Sequence, residues 1–381
     1  LIFICLTSLI GAYLNTLGKF ASMALTPIIL NLTIISTLII FFRNDDQVFI
    51  SYYLSLSISI AGVIQLIWML INLKKNNITL KFKIFNKKRF PNAESKFYKL
   101  LFPAIIGNGV YQLNLLIDMI LASTLPDGSI SFLYYADRVN QLPLGVLGIA
   151  ISTALLPILS KYVKLNDQKN QKETLSNAIM YGLIFSIPSF IGIFLLSNQI
   201  VTFLFFRGEF TLTDVEQTSY ALVALSFGLP AFIMIKILVI PFFAKEDTTT
   251  PIKISLFAIL INLILNLLLI DEYKHIGLAI STSFAAWVNA LILFIVLKNK
   301  KVEFDKNILF TFLKVVISSL VMGVGINFML IFFGQDILNI KFFEFKNVKI
   351  ILIIVVGILI YFSCLLLMGI KDFNLRKWTK S

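Results

Sequence analysis

A carboxylate and a guanidinium stand side by side in FLYYADRVNQL, residues 132–142, within an otherwise apolar stretch from Ile130 to Leu159. An ionisable group at membrane depth costs at least about 2.5–3.5 kcal/mol on insertion scales, so it normally faces a cavity or a partner. Successive residues of a helix point about 100° apart. Asp137 and Arg138 are therefore expected to serve different surfaces.

Arg138 shares a helical face with Tyr134 and Gln141, which lie four residues before it and three after it. A guanidinium keeps its charge and its planar fork suits phosphate, so this polar stripe is a candidate binding site for a phosphorylated ligand. Asp137 is expected to face a neighbouring helix or the loop after Leu125. The alternative is an arginine that extends to the outer interface, because a Pro-Asp-Gly loop precedes it closely.

A second carboxylate, Asp118, lies in the apolar segment LLIDMILAS. Its candidate partners are Thr282 and the pair Asn262 and Asn266, which are four residues apart and so share one face of another predicted helix. A carboxylate with amide and hydroxyl oxygens is a hard-donor set, which suits Na⁺ or a proton better than a transition metal. The alternative is a set of interhelical hydrogen bonds, which are common in membrane helix bundles.

Two further charges stand out in FIMIKILVIPFFAKEDTTTPIK. Lys236 lies deep enough in an apolar run to be a cation that lines a cavity. Asp247 is predicted to cap the helix that begins near Pro251. Neither residue belongs to a catalytic motif, and the chain has a single histidine, no Cys/His metal spacing and no phosphate-binding glycine loop. The sequence therefore predicts no enzyme.

The chain has 381 residues, of which 58% are hydrophobic and 14% are charged, whereas a soluble domain has about a quarter of its residues charged. Long apolar runs recur, each able to cross a bilayer core of about 30 Å as a helix. The predicted fold class is all-α and polytopic. Eleven spans are predicted, at 1–18, 22–42, 47–73, 97–123, 130–160, 174–196, 217–244, 252–271, 276–297, 309–333 and 348–370.

Basic and acidic loops alternate between these spans, which predicts a cytoplasmic C-terminus. Residues 74–99 carry nine Lys and Arg residues against one Glu, either as an amphipathic segment on the anionic leaflet or as a solvated run of charge. The net charge of +13 is thus attributed to cytoplasmic loops, and no nucleic-acid partner is expected.

Three long stretches resemble the MurJ (MviN) family of bacterial lipid II flippases. They are LTSLIGAYLNTLGKFASMALTPIILNL, SISFLYYADRVNQLPLGVLGIAISTALLPILSKY and FRGEFTLTDVEQTSYALVALSFGLPAFIMIKILVIPFFAKEDTTTPIKI. The resemblance runs to about Leu297, beyond which only the hydropathy is similar. It implies a transporter of the multidrug/oligosaccharidyl-lipid/polysaccharide superfamily, with fourteen helices in two lobes around a central cavity. Because the chain begins with Leu within a helix, we expect a fragment that supplies helices four to fourteen.

On this basis four regions are expected. They are three helices of the N-terminal lobe at 1–73, a basic cytoplasmic amphipathic loop at 74–96, six core helices of the C-terminal lobe at 97–299, and a lipid-tail groove with a basic tail at 300–381. The implied localisation is the bacterial inner membrane.

The resemblance also implies a substrate, which is lipid II, the undecaprenyl-diphosphate-linked precursor of peptidoglycan. Arg138 matches the family's cavity arginine, proposed to hold the diphosphate, and the expected substrate-binding set is Arg138, Asp137, Gln141, Tyr134 and Lys236. Gln141 departs from the family pattern, because that position is often Glu. Membrane lipids and cell-wall synthesis proteins are expected partners.

The resemblance implies no organic cofactor but a Na⁺ site in some members. Its ligands would be Asp118, Asn262, Asn266, Thr282 and the Leu278 carbonyl; Asn266 is an acid in those members. Two other functions stay open at this point, namely a flippase for another polyprenyl-linked glycan of the O-antigen type and a non-transporting scaffold for cell-wall synthases.

Overall fold

The computed structural model describes residues 2–17, 19–41, 46–76, 78, 101, 109, 112–300, 302–305, 307–337 and 343–370. Every regular element within these ranges is helical, which confirms the all-α prediction. Contacts divide the chain into two compact units, Leu1–Asn92 and Ala93–Ser381. The residues predicted to form the basic loop lie mostly outside the described ranges, as does most of the first half of the fourth predicted span.

The first unit contains one helix of 29 residues, two helices of 15 residues and one short helix of 5. They are α1 (Ile2–Thr16), α2 (Phe20–Ala24), α3 (Thr26–Ile40) and α4 (Gln47–Lys75). Asp46 begins α4, because its carboxylate accepts hydrogen bonds from Val48 N at 2.9 Å and Phe49 N at 3.2 Å. Gln65 on α4 donates to the Thr26 carbonyl at 2.8 Å. A buried amide bonded to backbone in this way stabilises contact between helices that have no water to compete for it.

The second unit holds the remaining elements. They are α5 (Gln112–Ala122), α6 (Ser129–Pro143), a π-helical segment (Leu144–Ile149), α7 (Ala150–Lys164), α8 (Gln168–Phe205), α9 (Leu212–Leu238), α10 (Ile240–Ala244), α11 (Thr249–Asn299), α12 (Asn307–Ile337) and α13 (Phe343–Leu367). Helix α9 is the most buried, with Leu222, Leu229, Ile233 and Ile237 inaccessible to solvent. It forms the centre on which the neighbouring helices pack.

Helix α11 is a hairpin of two segments. Its 51 residues would measure about 76 Å if straight, more than twice a bilayer core. The backbone breaks at Lys274, where φ is 50° and ψ is −132°. A Cβ on Gly277 would lie 2.7 Å from the Leu269 carbonyl oxygen, and Asn262 Nδ2 donates to Thr282 Oγ1 at 3.3 Å. Both contacts require the chain to fold back on itself. The two arms correspond to the separately predicted spans 252–271 and 276–297.

The π-helical segment Leu144–Ile149 follows Pro143 directly. Proline cannot donate to the preceding turn, and a single widened turn is a common way to absorb that loss. Gly148 brings the segment close to α9, because a Cβ there would lie 3.5 Å from Ile233 and 3.8 Å from Lys236. The π-helical segment thus determines how close the end of α6 lies to Lys236 of α9.

Two of the predicted basic loops, 161–173 and 298–306, meet at one end of the second unit. Lys172 bridges to Glu303 at 2.9 Å and Lys300 to Asp247 at 2.5 Å, so the connections after α7, α10 and α11 lie together. Asp247 also accepts from Thr250 N at 3.1 Å, which confirms its predicted role as a helix cap. Burial alone would raise the pKa of Asp247, but the hydrogen bonds from Lys300 and Thr250 outweigh it and hold the pKa well below its usual range.

The predicted acidic loops meet at the opposite end. Phe132 lies 5.3 Å from the ring of His275, and Tyr135 lies 5.3 Å from the ring of Phe210. His275 also approaches the carbonyl of Gln217, at 3.2 Å. The loop before α6, the connection between α8 and α9 and the bend of α11 therefore share one end. The alternation of loop charge along the sequence corresponds to two opposed ends of the second unit.

We expect Asp247→Ala to lower the free energy of unfolding by about 1 kcal/mol, because it removes a helix cap. Since the folded pKa of Asp247 is depressed, its contribution is present above the unfolded value of 3.8 and is lost as the pH falls through the more acidic folded value. Thermal unfolding of the purified protein at neutral and acidic pH tests this. Glu272→Ala, at the opposite end, is the control, and an equal loss in both variants would contradict the assignment.

Candidate functional site

Arg138 and Tyr134 form a pair on the exposed side of α6. The guanidinium carbon of Arg138 lies 4.6 Å from the centre of the Tyr134 ring, a cation–π geometry worth about 0.5–1 kcal/mol at an exposed site. Their spacing of four residues places them one above the other, as predicted from the sequence. The ring orients the guanidinium while leaving its N–H groups available to a ligand.

Gln141 pairs with Asp137. Its amide donates a short hydrogen bond to the carboxylate of Asp137, four residues earlier, a bond that its predicted place on the face of Arg138 did not specify. A partly buried carboxylate is the strongest acceptor within its reach, so it captures the amide. The polar residues of α6 are thus split between a guanidinium–ring pair and an amide–carboxylate pair.

Asp137 faces neighbouring helices, as predicted. It lines a cavity of about 180 Å³ together with Tyr134, Asp118 of α5 and Thr282 of α11. The remaining lining is mostly apolar, with Leu115, Met119, Ala122, Ile130, Leu133, Leu225, Leu278 and Ala279. The two carboxylates predicted from sequence therefore meet at a single, mainly hydrophobic cavity.

Lys236 lines a second cavity, of about 370 Å³, with Asn114, Asn262 and Asn289. The expectation of a cation that lines a cavity is confirmed for this residue. Thr282 lines both cavities, so the polar cluster around it forms part of the wall between them. Arg138 is not among the residues that line these two cavities, within the part of the chain that the structure describes.

The carboxylate of Asp118 is held by three neighbours. Asn266 donates to Oδ1 at 2.7 Å, while Thr282 Oγ1 and Asn114 Nδ2 each lie 3.3 Å from Oδ2. The Thr282 hydroxyl also lies 3.0 Å from the Leu278 carbonyl oxygen. Helix α5 is thereby joined to both arms of the α11 hairpin, because Asn266 precedes the bend and Thr282 follows it.

Every residue predicted as a Na⁺ ligand lies in or beside this network. Asn262 bonds both to Thr282 and to Asn266, whose amide nitrogen lies 3.0 Å from its oxygen. Oxygen atoms also meet here, because Asn262 Oδ1 lies 3.2 Å from Asp118 Oδ1 and from Asn114 Oδ1 unless its amide is turned over. Carboxylate and amide oxygens are ligands that a hard cation prefers, and the Na⁺ site stays a prediction.

Asn114 is the member of this cluster that the sequence analysis missed. It lies four residues before Asp118, and its amide bonds to that carboxylate. The spacing is a signal available from the sequence. The spacing alone does not single out Asn114, because its role depends on the other residues that surround Asp118 in the folded protein.

Comparison with known proteins places the chain in a family. The family profile described as lipid II flippase MurJ matches residues 1–370. A probable lipid II flippase MurJ of Rickettsia prowazekii is 37% identical over 381 residues, covering 98% of this chain and 72% of the relative. The corresponding protein of Haemophilus influenzae is 33% identical, with 98% and 73% covered.

A solved structure agrees with these relatives. The lipid II flippase MurJ in an inward closed conformation superposes with a TM-score of 0.74 at 30% identity, covering 95% of this chain and 70% of the other. The chain belongs to the MurJ family of lipid II flippases.

Membership of the MurJ family confirms that the protein is a transporter rather than an enzyme, and that it is a multi-pass membrane protein. In the described ranges, eight helices are long and apolar enough to cross a membrane, and two shorter apolar helices lie at Ile2–Asn15 and Gln112–Ala122. The number of eleven spans, the domain boundaries and the residue roles stay predictions.

We expect Thr282→Val to destabilise the protein by about 1–3 kcal/mol, because it removes a hydroxyl that satisfies a buried carboxylate while keeping the side-chain shape. Thr282→Ser retains the hydroxyl and is the matched control. Chemical or thermal unfolding of the purified protein in detergent compares the two. Equal stability of the valine variant and the wild type would show that the hydroxyl does not support Asp118.

Proposed function

We propose that this protein moves lipid II from the inner to the outer leaflet of the cytoplasmic membrane by alternating access, with the diphosphate bound at Arg138. The main support for this proposal is that Arg138 lacks a carboxylate partner among the described residues. It lies within a membrane helix, and no carboxylate among the described residues is within salt-bridge distance of it.

The adjacent carboxylate forms no salt bridge with Arg138. Asp137 accepts from Gln141 and faces the cavity shared with Asp118, while Arg138 lies over Tyr134 on the exposed side of the helix. A guanidinium within a membrane helix is stabilised by an anion that can accept two parallel N–H bonds. A diphosphate meets this requirement and is present in lipid II.

Lys236 is the second cation that we assign to the transport path of the headgroup. It lines a polar cavity with three asparagines, across the wall that contains Thr282 from the cavity of Asp137. A lysine ammonium acts as a compact point charge with rotatable donors. It suits a phosphate or carboxylate group whose orientation changes during transport.

The last two helices suit the polyprenyl tail. On α12 the side chains of Leu320, Val324, Phe328 and Ile331 are exposed, and their spacing of three or four residues forms one continuous apolar stripe. The tail stays in lipid along this surface while the headgroup crosses. The headgroup can shift the equilibrium between inward and outward states only through its different affinity for each state.

The sequence leaves two other functions open. The family match and the relatives named as lipid II flippases favour lipid II over an O-antigen-type glycan. A scaffold that recruits cell-wall synthases does not require the charge of Arg138. A change at this residue therefore separates transport from scaffolding, and recruitment of cell-wall synthesis proteins is proposed only as an addition to transport.

We expect Arg138→Ala to reduce flipping roughly ten- to hundred-fold, which corresponds to the loss of charge-assisted hydrogen bonds. Arg138→Lys should restore part of the activity, because it keeps the charge but loses the fork. The assay depletes the host flippase in a bacterium, supplies the full-length gene at matched membrane abundance, and measures lipid II exposed on the outer leaflet.

Arg207→Ala is the control for this experiment. Arg207 lies in the connection between α8 and α9, so the same change in charge is made outside the membrane helices and should leave flipping intact. Full rescue by Arg138→Ala would make the arginine an interfacial residue. Failure of the wild-type gene to rescue would move the other glycan substrates and the scaffold function ahead.

We also propose that the C-terminus is cytoplasmic. The end of the second unit that carries Lys172 and Lys300 would face the cytoplasm, because short basic loops remain inside. Alkaline phosphatase fused after the last residue should be inactive, and a fluorescent protein fused there should be bright. The reverse pattern would invert the orientation and with it the proposed direction of transport.

A further inference from the structure

Helix α8 has a proline, Pro188, about halfway along its 38 residues. In an α-helix the N–H of residue 188 would donate to the carbonyl of Ile184, but proline has no N–H. The hydrocarbon core of a membrane offers no water in its place, so a neighbouring helix must supply the donor. The Ile184 carbonyl is therefore a point at which α8 requires a polar partner.

The donor comes from α13. The hydroxyl of Tyr361 donates to the Ile184 carbonyl at 2.5 Å, and Tyr361 is only 2% exposed. The next residue, Phe362, makes an edge contact with Phe185, with the ring centres 6.5 Å apart. Two successive aromatic residues of α13 thus lie against two successive residues of α8, about one turn before Pro188.

Helices α12 and α13 form a closely packed pair beside α8. A Cβ on Gly325 of α12 would lie 2.7 Å from the Ile360 side chain of α13, and a Cβ on Gly323 would lie 3.1 Å from Ile191 of α8. Small residues at these positions permit the close approach of membrane helices. In the part of the chain that the structure describes, α8 is the main neighbour of the pair, and the three helices share a hydrophobic core. A shift of α13 on α8 would therefore move α12 as well.

We propose that Tyr361 is a positioning residue for the polyprenyl tail, because its hydroxyl supplies the donor that Pro188 lacks and so fixes the α12–α13 pair on α8. This role rests on the proposed function, in which the tail lies along the apolar stripe of α12. Tyr361 is buried and acts through the helices that it joins, not by contact with the lipid. Without the hydroxyl the Ile184 carbonyl loses its donor, and the pair is no longer held at one place on α8.

The length of the tail separates a positioning role from a purely structural one. A bond that only stabilised the fold would affect the transport of every substrate alike. The exposed stripe of α12 runs from Leu320 to Ile331, and a long tail covers more of it than a short one. A misplaced stripe should therefore impair the transport of a long-tailed substrate and spare a short-tailed one.

The test measures flipping by the purified full-length protein in proteoliposomes. The substrates are lipid II with its undecaprenyl tail and the same headgroup on a geranylgeranyl tail. Tyr361→Phe keeps the ring and removes the hydroxyl. It should slow the flipping of lipid II about three- to tenfold, as expected for the loss of one hydrogen bond between membrane helices, and leave the short-tailed substrate at the wild-type rate. Equal slowing of both substrates would make the bond structural and overturn the proposal.

Tyr220→Phe is the matched control. It removes the same hydroxyl from a hydrogen bond of 2.7 Å to Glu216, but both of these residues belong to α9, so no contact between helices is lost. Both flipping rates should stay at the wild-type value. A selective loss equal to that of Tyr361→Phe would show that the effect does not depend on the contact between α8 and α13, and would overturn the proposal.

Pro188→Ala tests the other partner of the arrangement. It restores an N–H that can donate to the Ile184 carbonyl within α8. Tyr361→Phe should then have a much smaller effect in the Pro188→Ala background than in the wild type, a coupling that a double-mutant cycle measures. Equal effects in both backgrounds would overturn the proposal. Should Tyr361→Phe fail to fold, recovery of its yield by Pro188→Ala would support the proposal, and no recovery would overturn it.

The same measurements distinguish failure of this role from failure of the proposed function. A wild type that flips neither substrate would overturn the transport of lipid II and, with it, the role of Tyr361. A wild type that flips lipid II, beside a Tyr361→Phe variant that flips it equally fast, would overturn the role of Tyr361 alone.

Discussion

The absence of water from the hydrocarbon core imposes the constraint on which this structure depends. Each charged side chain in a membrane helix must find its partner in the protein or in a ligand, because the bilayer offers none. Asp118 and Arg138 meet this requirement in opposite ways. Asp118 is surrounded by donors from its own chain, whereas Arg138 is supported by an aromatic ring and keeps its donors for an anion.

The internal partners of Asp118 explain why α11 takes the form it does. The bend at Lys274 brings Asn266 and Thr282, on opposite arms, to one carboxylate of α5. Close packing at Gly277 permits the two arms to approach at the bend. Polar bonds between membrane helices contribute modestly one by one, but here they join three segments at once. The network therefore fixes the wall between the two cavities as well as the hairpin.

Much of the architecture could be predicted because hydropathy and loop charge are local properties of the sequence. The all-α membrane fold, the opposed basic and acidic ends of the second unit and the cap at Asp247 followed from composition and spacing alone. The π-helical segment after Pro143 did not, because a proline and nearby glycines permit several local geometries. The hydrogen bond from Gln141 to Asp137 was not predicted, since helical spacing allows Gln141 to reach both Arg138 and Asp137 and only the packing of α6 decides between them.

The site residues, too, could be predicted only in part from their spacing along the sequence. Spacing identified Asp118 and the amides of α11 as a set, yet a hydrogen-bonded network and a cation site require the same residue types in the same places. What separates them is whether nitrogen or oxygen faces the carboxylate, and a sequence does not state this directly. Neutral amides hydrogen-bond a carboxylate without removing its charge, whereas an ion or a proton would neutralise it. Within the described residues Asp118 is held by hydrogen bonds and forms no salt bridge, while Arg138 keeps its charge for the substrate.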